Sequence, residues 1–510
     1  MVNRGPGRGD SERPPTPPPE PVPPPGIRRV DRCLFAAGAL LLAVYFFRLT
    51  RASLHVYFTP NDLMNLYTSW IYSAGHLLKA NLLFFLASPY GRPLGSMWYR
   101  VIVHFAGFHP FWFHASNLTI LAANIWLTYV VARRLAGSRE IAALTALAMT
   151  YQPPLGFLYF DTGFIYDVLC YFFLFAALAL YLRARAHDGT FRPWQWAAFF
   201  ALYICALNSK EMAVTLPVFL GTYELLYHPP RGWQPATMYR WLVREGRAML
   251  LTGAVAGLFV VGRSIGPDAL IRHPAYRPSL TWIRFMLTSR HFAGDFFGMP
   301  DWPAWAVLLL WTALAAIAWF TRSRVLRFAW LFLMLGPLPI AFILPRDSPQ
   351  YYVCLFGWML YTAVLLVKLA VLLTRSVPLA ECWLVRARGA VLFLVLTAIL
   401  YSAYKPLGYA AVYCAAVEAP ENRNTVVQLH AAAPAIRPGS RILFLNDPVP
   451  ADSYHLLFIV RLSYADRDLQ VSRVKEMKQP PSDKEIASYD YVLDYRDGRF
   501  SELKPGPPAN

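Results

Sequence analysis

The chain has 510 residues, of which 56% are hydrophobic and 15% are charged, and its formal net charge is +18. A soluble globular protein carries about 25% charged residues. This composition therefore excludes a soluble enzyme, a disordered chain and a nucleic-acid binder with a hydrophilic basic face. The six cysteines form no C-x-x-C pair, which excludes a zinc ribbon and a disulfide scaffold. The composition is that of a polytopic membrane protein.

Residues 1–30 form a proline-rich segment, in which ten of the 42 prolines fall between Pro6 and Pro25. Such a stretch can adopt polyproline II but cannot pack a core. We predict a disordered cytoplasmic tail. Recognition by an SH3-like partner is the alternative. The apolar run that follows starts too late for a signal peptide.

Eleven apolar segments follow, and a membrane helix needs about 20 residues. They are Cys33–Phe47, Phe111–Ala132, Ile141–Leu158, Thr162–Leu182, Pro193–Leu207, Met212–Tyr227, Ala248–Val261, Trp302–Thr321, Phe328–Leu344, Tyr351–Leu373 and Ala390–Val412. The uncharged stretch Val101–Ala132 would make a helix of about 48 Å, longer than the ~30 Å hydrocarbon core. We therefore expect Pro110 to divide it. The predicted fold is an all-α polytopic membrane protein with about eleven transmembrane helices, over residues 31–415.

Arginines cluster at every second boundary between these segments, for example Arg133 and Arg134, Arg183 and Arg185, and Arg322 and Arg324. The positive-inside rule then predicts a cytoplasmic N terminus and a periplasmic or lumenal C terminus. The longest outer loops are residues 48–100 and 263–301, and the first is expected to hold helices on the membrane surface. We expect a bacterial inner membrane, since nothing resembles an endoplasmic-reticulum retention signal.

Residues 416–510 are predicted to form a small soluble α/β domain on the outer side. Arg441–Leu445 and Tyr489–Asp494 have the pattern of strands, and Ser453–Ser463 has the pattern of a helix. No repeat of 20–50 residues is present here or elsewhere.

Polar residues collect at the outer ends of the apolar segments, where ionisable groups usually face a cavity or a partner. They are Asp62, Arg92, His114, Asn117, Asp161, Asp167, Lys210, Glu211, Arg263, Arg346 and Tyr351. We predict a polar, water-filled cavity on that side. Its mixture of carboxylates and cations suits a phosphate-bearing substrate with a neutral acceptor.

Asp62 follows Thr59-Pro60-Asn61, just beyond the first apolar segment. A carboxylate there can act as a general base towards a hydroxyl acceptor. The sequence also fits a helix cap before Leu63–Ala74, and one residue can serve both purposes.

Lys210 and Glu211 lie in a tight turn, where the lysine can hold a phosphate as a point charge. The alternative is an ion pair between the two that closes the turn. Arg346 has aromatic neighbours and suits a lipid-linked phosphate, since its guanidinium grips phosphate oxygens. The alternatives are snorkelling and pairing with Asp347.

Evidence for a cofactor is weak, and we expect none to be required. Asp161 and Asp167 are six residues apart and, with a histidine, could bind a divalent metal. His104, His109 and His114 recur every five residues and so wind around a helix, which disfavours a three-histidine site. No P-loop and no G-x-S-x-G elbow is present.

The ordered motifs resemble those of GT-C membrane glycosyltransferases, in particular the protein O-mannosyltransferases and their tetratricopeptide-bearing relatives. Gly91-Arg92-Pro93-Leu94 and the later His114-Ala115-Ser116-Asn117 resemble the family's "RPL … H-x-x-N" run. The resemblance extends over roughly residues 33–375. Its remaining motifs are Phe164–Leu169 (for "G-R-x-D-x-L"), Ser209-Lys210-Glu211 (the "K-E" turn) and Arg346–Tyr352 (the "R-Y" loop).

This resemblance implies a polyprenyl- or dolichyl-phosphate sugar donor and a membrane hexosyltransferase whose catalytic base is Asp62. The reaction would be a single displacement with inversion on the outer face. We assign donor-phosphate or substrate binding to Arg92, His114, Asn117, Asp167, Lys210, Glu211, Arg346 and Tyr351. The sequence departs from the family in having one acid at Asn61-Asp62, no arginine before Asp167 and no tetratricopeptide repeats.

The partners expected are a polyprenyl-phosphate-linked sugar, membrane lipid and an acceptor protein, lipid or glycan, without nucleic acid. Two other functions fit the same residues. One is a transporter or flippase of a lipid-linked saccharide, which should show repeated halves. The other is a non-catalytic assembly protein with a GT-C-like fold.

Overall fold

The computed structural model describes residues 25–504 except 87–91, 151, 153–154, 188–190, 266–268, 270–271, 273, 298–301, 347, 376–379, 408–412 and 452. Most of the predicted tail, residues 1–24, therefore lies outside the described residues, as do Gly91 and Asp347. The chain forms two compact units, Met1–Tyr45 and Phe46–Asn510. The described part of the first unit belongs to helix α1 (Pro25–Thr50), and the second unit is described below.

The second unit is mainly helical up to residue 407. Its helices are α2 (Pro60–Ile71), α3 (Ala74–Leu82), α4 (Pro93–Ala106), α5 (Pro110–Ala136), α6 (Arg139–Thr150), α7 (Phe157–Phe160), α8 (Ile165–His187), α9 (Pro193–Ser209), α10 (Leu216–Tyr227), α11 (Pro235–Arg244), α12 (Arg247–Ser264), α13 (Trp282–Phe297), α14 (Ala304–Phe320), α15 (Arg324–Leu335), α16 (Leu338–Ala341), α17 (Tyr352–Leu373) and α18 (Glu381–Leu407).

Seven helices in the described part of the chain are long and apolar enough to cross a membrane, and Ala304–Phe320 is a shorter apolar helix. The seven are Val30–His55, Pro110–Ala136, Thr162–Ala186, Arg247–Ser264, Arg324–Ala341, Ser348–Leu373 and Glu381–Ser402. The all-α polytopic fold is thus confirmed. Every predicted segment contains helix, but the segments at α6, α9 and α10 form helices of 12, 17 and 12 residues. These are shorter than the ~20 residues of a full crossing.

The segment predicted to be the first outer loop, residues 48–100, contains helices α2 and α3 and the start of α4, and the predicted break at Pro110 is confirmed. Helix α4 ends at Ala106, and Gly107 follows with a φ of +59°, which favours glycine. Pro110 is then the first residue of α5. Proline suits this position because the first N–H groups of a helix have no intrahelical acceptor.

Aromatic side chains fill the core between the helices. Tyr171 stacks on Phe175 with ring centroids 3.8 Å apart, and Phe219 stacks on Phe332 at 3.8 Å. Where α15 and α17 cross, a Cβ on Gly357 would lie 3.0 Å from the carbonyl oxygen of Ala329. The absence of a side chain there lets the two helices pack closely.

The C-terminal region has a four-stranded sheet in the order β2-β1-β3-β4. The strands are β1 (Arg441–Phe444), β2 (Gln470–Arg473), β3 (Tyr491–Arg496) and β4 (Arg499–Lys504), and the helices are α19 (Ala419–Ala432), α20 (His455–Ser463) and α21 (Asp483–Ala487). Strand β1 is parallel to β2 and β3, whereas β4 is antiparallel to β3.

Strands β1 and β3 and helix α20 begin and end within two residues of the prediction. The sequence analysis did not identify β2, β4 or α19. Strands β2 and β4 are short and rich in polar residues, so their composition resembles that of loops.

Candidate functional site

Asp62 is fully buried at the start of α2 and is surrounded by hydrogen-bond donors. Thr162 Oγ1 donates to its Oδ1 at 2.5 Å, and the backbone N–H of Thr59 donates to its Oδ2 at 2.9 Å. The Asp62 N–H in turn donates to Thr59 Oγ1 at 3.2 Å, which completes a capping box. The predicted helix cap is therefore confirmed. The cap orients the carboxyl group.

A second carboxylate, Asp161, lies beside Asp62 and is 1% exposed. Its Oδ2 accepts a hydrogen bond from Asn61 Nδ2 at 3.0 Å, and its Oδ1 accepts one from the N–H of Gly163 at 2.7 Å. The sequence has one acid at Asn61-Asp62, and in the structure a second acid, Asp161, comes from a segment 100 residues away.

The electrostatics of this carboxylate pair favour a bound proton. Burial raises the pKa of Asp62 well above its usual value, and the charge of Asp161 raises it further, against the hydrogen bonds from Thr162 and Thr59. Burial also raises the pKa of Asp161, against the hydrogen bonds from Asn61 and Gly163. Two carboxylates in one desolvated pocket do not readily ionise together. The pair can therefore accept and hold one proton.

A third acid, Glu418, lies near this pair on a π-helical turn, Cys414–Glu418. Burial, followed by the charges of Asp161 and Glu421, raises its pKa to about 7. Single π-helical turns occur frequently at functional sites. This pKa places the protonation change of Glu418 near neutral pH, close enough to Asp161 for their charges to interact.

Four further predicted residues form two ion pairs. Lys210 pairs with Asp167, and both side chains are buried. Arg92 donates to Glu211 Oε2 from Nη2 at 3.1 Å and from Nε at 3.2 Å. The alternative of an ion pair between Lys210 and Glu211 is wrong, since each has another partner. Lys210 has an extended backbone at the end of α9, with φ −160° and ψ 150°, and successive side chains of extended backbone point to opposite sides.

The Arg92–Glu211 pair is ionised. Burial acts to raise the pKa of Glu211, but the Arg92 guanidinium outweighs burial and the pKa is lowered. Arg92 also lies over the ring of Tyr166, 5.7 Å from its centroid. Tyr166 in turn donates to Asn65 Oδ1 at 3.0 Å. Because Asn65 lies one turn beyond Asp62 on α2, the ion pairs and the carboxylate pair form one continuous polar site.

Two more arginines extend the positive charge of this site. Arg263 is 8% exposed and interacts electrostatically with both Glu211 and Arg92. Arg346 stacks over the ring of Tyr276 at 4.2 Å, and Tyr276 also interacts with Arg92. The site therefore combines four cations, Arg92, Lys210, Arg263 and Arg346, with the carboxylates of Asp167 and Glu211.

The remaining predicted residues lie at the edges of the site. Asn117 is fully buried on α5 and donates to the carbonyl of Leu158 at 2.8 Å, which holds the segment leading to Asp161. His114 is fully buried on the same helix. Tyr351 is 1% exposed and stacks on Phe292 with centroids 4.0 Å apart. It lines an aromatic cavity of about 40 Å³ between α13, α15 and α17.

The sequence analysis did not identify Tyr99, Thr162, Tyr166 or Tyr276. Tyr99 approaches Thr162 Oγ1 at 3.2 Å and Asp62 Oδ1 at 3.5 Å. Thr162 and Tyr166 are sequence neighbours of Asp161 and Asp167, and this adjacency was the only local signal. Tyr276 comes from the segment predicted to be the second outer loop, residues 263–301, and nothing in its surrounding sequence singles it out.

The weak prediction of a metal site at Asp161 and Asp167 has no geometric support. Asp161 lies beside Asp62, whereas Asp167 pairs with Lys210. Within the described ranges, no group of three or more His, Cys, Asp or Glu side chains is arranged to hold a metal ion.

No protein-family model and no curated protein matches this chain. A solved structure with a similar fold is the crystal structure of ArnT from Cupriavidus metallidurans bound to undecaprenyl phosphate. The match has a TM-score of 0.50 and 15% sequence identity, and it covers 94% of this chain and 99% of that chain. ArnT is a GT-C glycosyltransferase, so the GT-C fold predicted from the motifs is confirmed. The likeness to O-mannosyltransferases stays a prediction.

Proposed function

We propose that this protein is a membrane glycosyltransferase that moves a sugar from a polyprenyl-phosphate-linked donor to a hydroxyl acceptor on the outer face. The observation that carries the proposal is the buried Asp62–Asp161 pair, in one polar site with the cations Arg92 and Lys210. A base and an anion-stabilising region side by side are what displacement of a phosphate leaving group requires. The GT-C fold supports the same reading, and undecaprenyl phosphate is the lipid bound by the ArnT crystal structure.

Asp62 acts as the base in this mechanism. The acceptor oxygen forms a bond to the anomeric carbon as its proton passes to Asp62, and the bond from that carbon to the phosphate oxygen breaks. A single displacement of this kind inverts the anomeric centre. The fixed donors from Thr59 and Thr162 keep the carboxyl group in one orientation. The exposed Asn61, which donates to Asp161, marks the side from which an acceptor approaches.

The departing lipid phosphate is stabilised by the cations. Arg92 and Lys210 are already held by Glu211 and Asp167, so they change position little when a phosphate binds. Arg263 and Arg346 extend the same cationic side of the site. Such preorganised charge is typically the largest single contribution to catalysis.

The test is transfer of radiolabelled sugar from polyprenyl-phosphate donors by purified full-length protein in proteoliposomes, with a membrane extract as acceptor. Asp62→Asn should lower the transfer rate by about 10²–10⁴-fold, the usual contribution of a general base. Asparagine keeps a carbonyl oxygen for the Thr59 N–H, so the capping box survives. Donor affinity should stay within about threefold, because the variant keeps all four cations.

A matched control is Glu485→Gln, the same acid-to-amide change at the third residue of the α21 capping box. It should transfer sugar at the wild-type rate. Donor binding without transfer in either wild type or Asp62→Asn would refute the enzyme assignment and favour an assembly protein. Movement of lipid-linked sugar between leaflets that survives Asp62→Asn would favour the flippase.

A further inference from the structure

The C-terminal α/β region contacts the chain immediately before Asp62. Asn422 on α19 is 3% exposed, and its Nδ2 donates to the carbonyl oxygen of Phe58 at 2.9 Å. Phe58 is itself 2% exposed and directly precedes Thr59. The hydrogen bond therefore fixes the backbone at the entry to the capping box that orients Asp62.

The same region also contacts α2 beyond Asp62. Phe458 on α20 stacks on Tyr67, with ring centroids 5.0 Å apart and planes at 27°. Arg461, one turn further along α20, donates to the Tyr67 hydroxyl and lies over its ring at 5.7 Å. Tyr67 is five residues after Asp62, or about 7.5 Å along the helix axis.

Further hydrogen bonds hold together the part of the C-terminal region that makes these contacts. Arg461 Nε also donates to the carbonyl of Leu469 at 2.9 Å, just before strand β2. Tyr464, after α20, donates to the carbonyl of Ala433 at 2.5 Å, and its hydroxyl oxygen lies 3.4 Å from the carbonyl of Leu429, which ties α20 to α19. The two contact points on either side of Asp62 therefore belong to one packed assembly.

We propose that the C-terminal α/β region is a two-point clamp that positions the base helix, with Asn422 and Arg461 as positioning residues that act on Asp62 through Phe58 and Tyr67. This inference rests on the proposed function of Asp62. A displacement of about 1 Å at a reacting group can lower a rate by about 10²-fold. The C-terminal region thus influences the rate of the reaction at Asp62 without either residue touching substrate.

The first test is steady-state transfer by Asn422→Ala and Arg461→Met in proteoliposomes. Each should lower kcat by about 10- to 100-fold and leave KM for the donor within about threefold, because the donor-binding cations are unchanged. Arg461→Lys keeps a cation and a donor near Tyr67 and should recover part of kcat. The matched control is Arg441→Met. This exposed arginine on β1 stacks over Tyr489 at 4.7 Å, within the same region, and should leave kcat unchanged.

The second test is hydrogen–deuterium exchange of the backbone amides of residues 59–71, which needs no activity. Both variants should accelerate exchange about two- to tenfold, as expected for the loss of one net hydrogen bond, while amides of β1 and β3 stay protected. Unchanged exchange in both variants would refute the proposal. A rise in kcat would also refute it, because the contacts would then slow the reaction. If wild type shows no transfer, the proposed function fails while the exchange result still decides whether the clamp exists.

Discussion

Thr162→Val tests the chemistry assigned to Asp62 without touching the acid itself. Valine has the same shape as threonine but cannot donate, so Asp62 Oδ1 loses the hydroxyl at 2.5 Å. Thr162 has one hydroxyl proton, and it donates this proton to Asp62. In the contact between Tyr99 and Thr162 at 3.2 Å, Tyr99 is therefore the donor. Tyr99 then approaches Asp62 only at 3.5 Å, which is too long to replace the lost bond.

The size of the effect follows from this geometry. An O–H···O⁻ distance of 2.5 Å lies in the charge-assisted range, and such bonds contribute about 1.5–3 kcal/mol. The bond stabilises the ionised carboxylate more than the protonated acid, so its loss raises the pKa of Asp62. A base is active when ionised, so the rising limb of the pH–rate profile moves to higher pH. Each 1.36 kcal/mol is a factor of ten, so kcat on that limb falls by about 10- to 100-fold and recovers as the pH rises.

The assay is sugar transfer by wild type and Thr162→Val across the pH range in which the protein stays folded. The control is Thr128→Val, which removes a buried hydroxyl that bonds Tyr171 and the carbonyl of Asn124, away from Asp62. That variant should keep the wild-type profile. A profile for Thr162→Val that coincides with wild type, with the protein folded, would refute Asp62 as the ionising base.

Two further predictions concern the ion-pair side of the site. Gly95→Ala would place a Cβ 2.2 Å from the Tyr166 ring. Displacement of the ring should therefore lower the transfer rate about tenfold or more. The control is Gly75→Ala, whose Cβ would meet nothing closer than 4.0 Å and which should keep the wild-type rate. Equal rates for the two variants would contradict this packing. Asp167→Asn or Lys210→Met alone should lower the free energy of unfolding in detergent by about 3–5 kcal/mol, because each leaves a buried charge unpaired. The double variant should regain most of this loss in a thermal unfolding assay, and a double variant as unstable as either single one would contradict the buried pair.

Several features of the protein follow from local sequence alone. Long apolar runs determine where helices form, because burying backbone polar groups in lipid or a core requires internal hydrogen bonds. Pro110 marks the start of α5 because proline fits a first helical turn but not a helix interior. The cap at Thr59 and Asp62 is equally local, since its partners are three residues apart. The arginine clusters also predict an orientation from local sequence, because the positive-inside rule depends only on the composition of short loops.

The tertiary structure alone decided which side chains meet. Asn61 and Asp161 bond across 100 residues, and Arg92 and Glu211 across 119. Lys210 and Glu211 are adjacent in sequence, yet they face different partners because the backbone between them is extended. The contact of Asn422 with Phe58 spans 364 residues. Local patterns reflect propensity and burial, which are properties of single segments. Contacts between distant residues depend on how the helices pack against one another, and local patterns in a single sequence do not predict that packing.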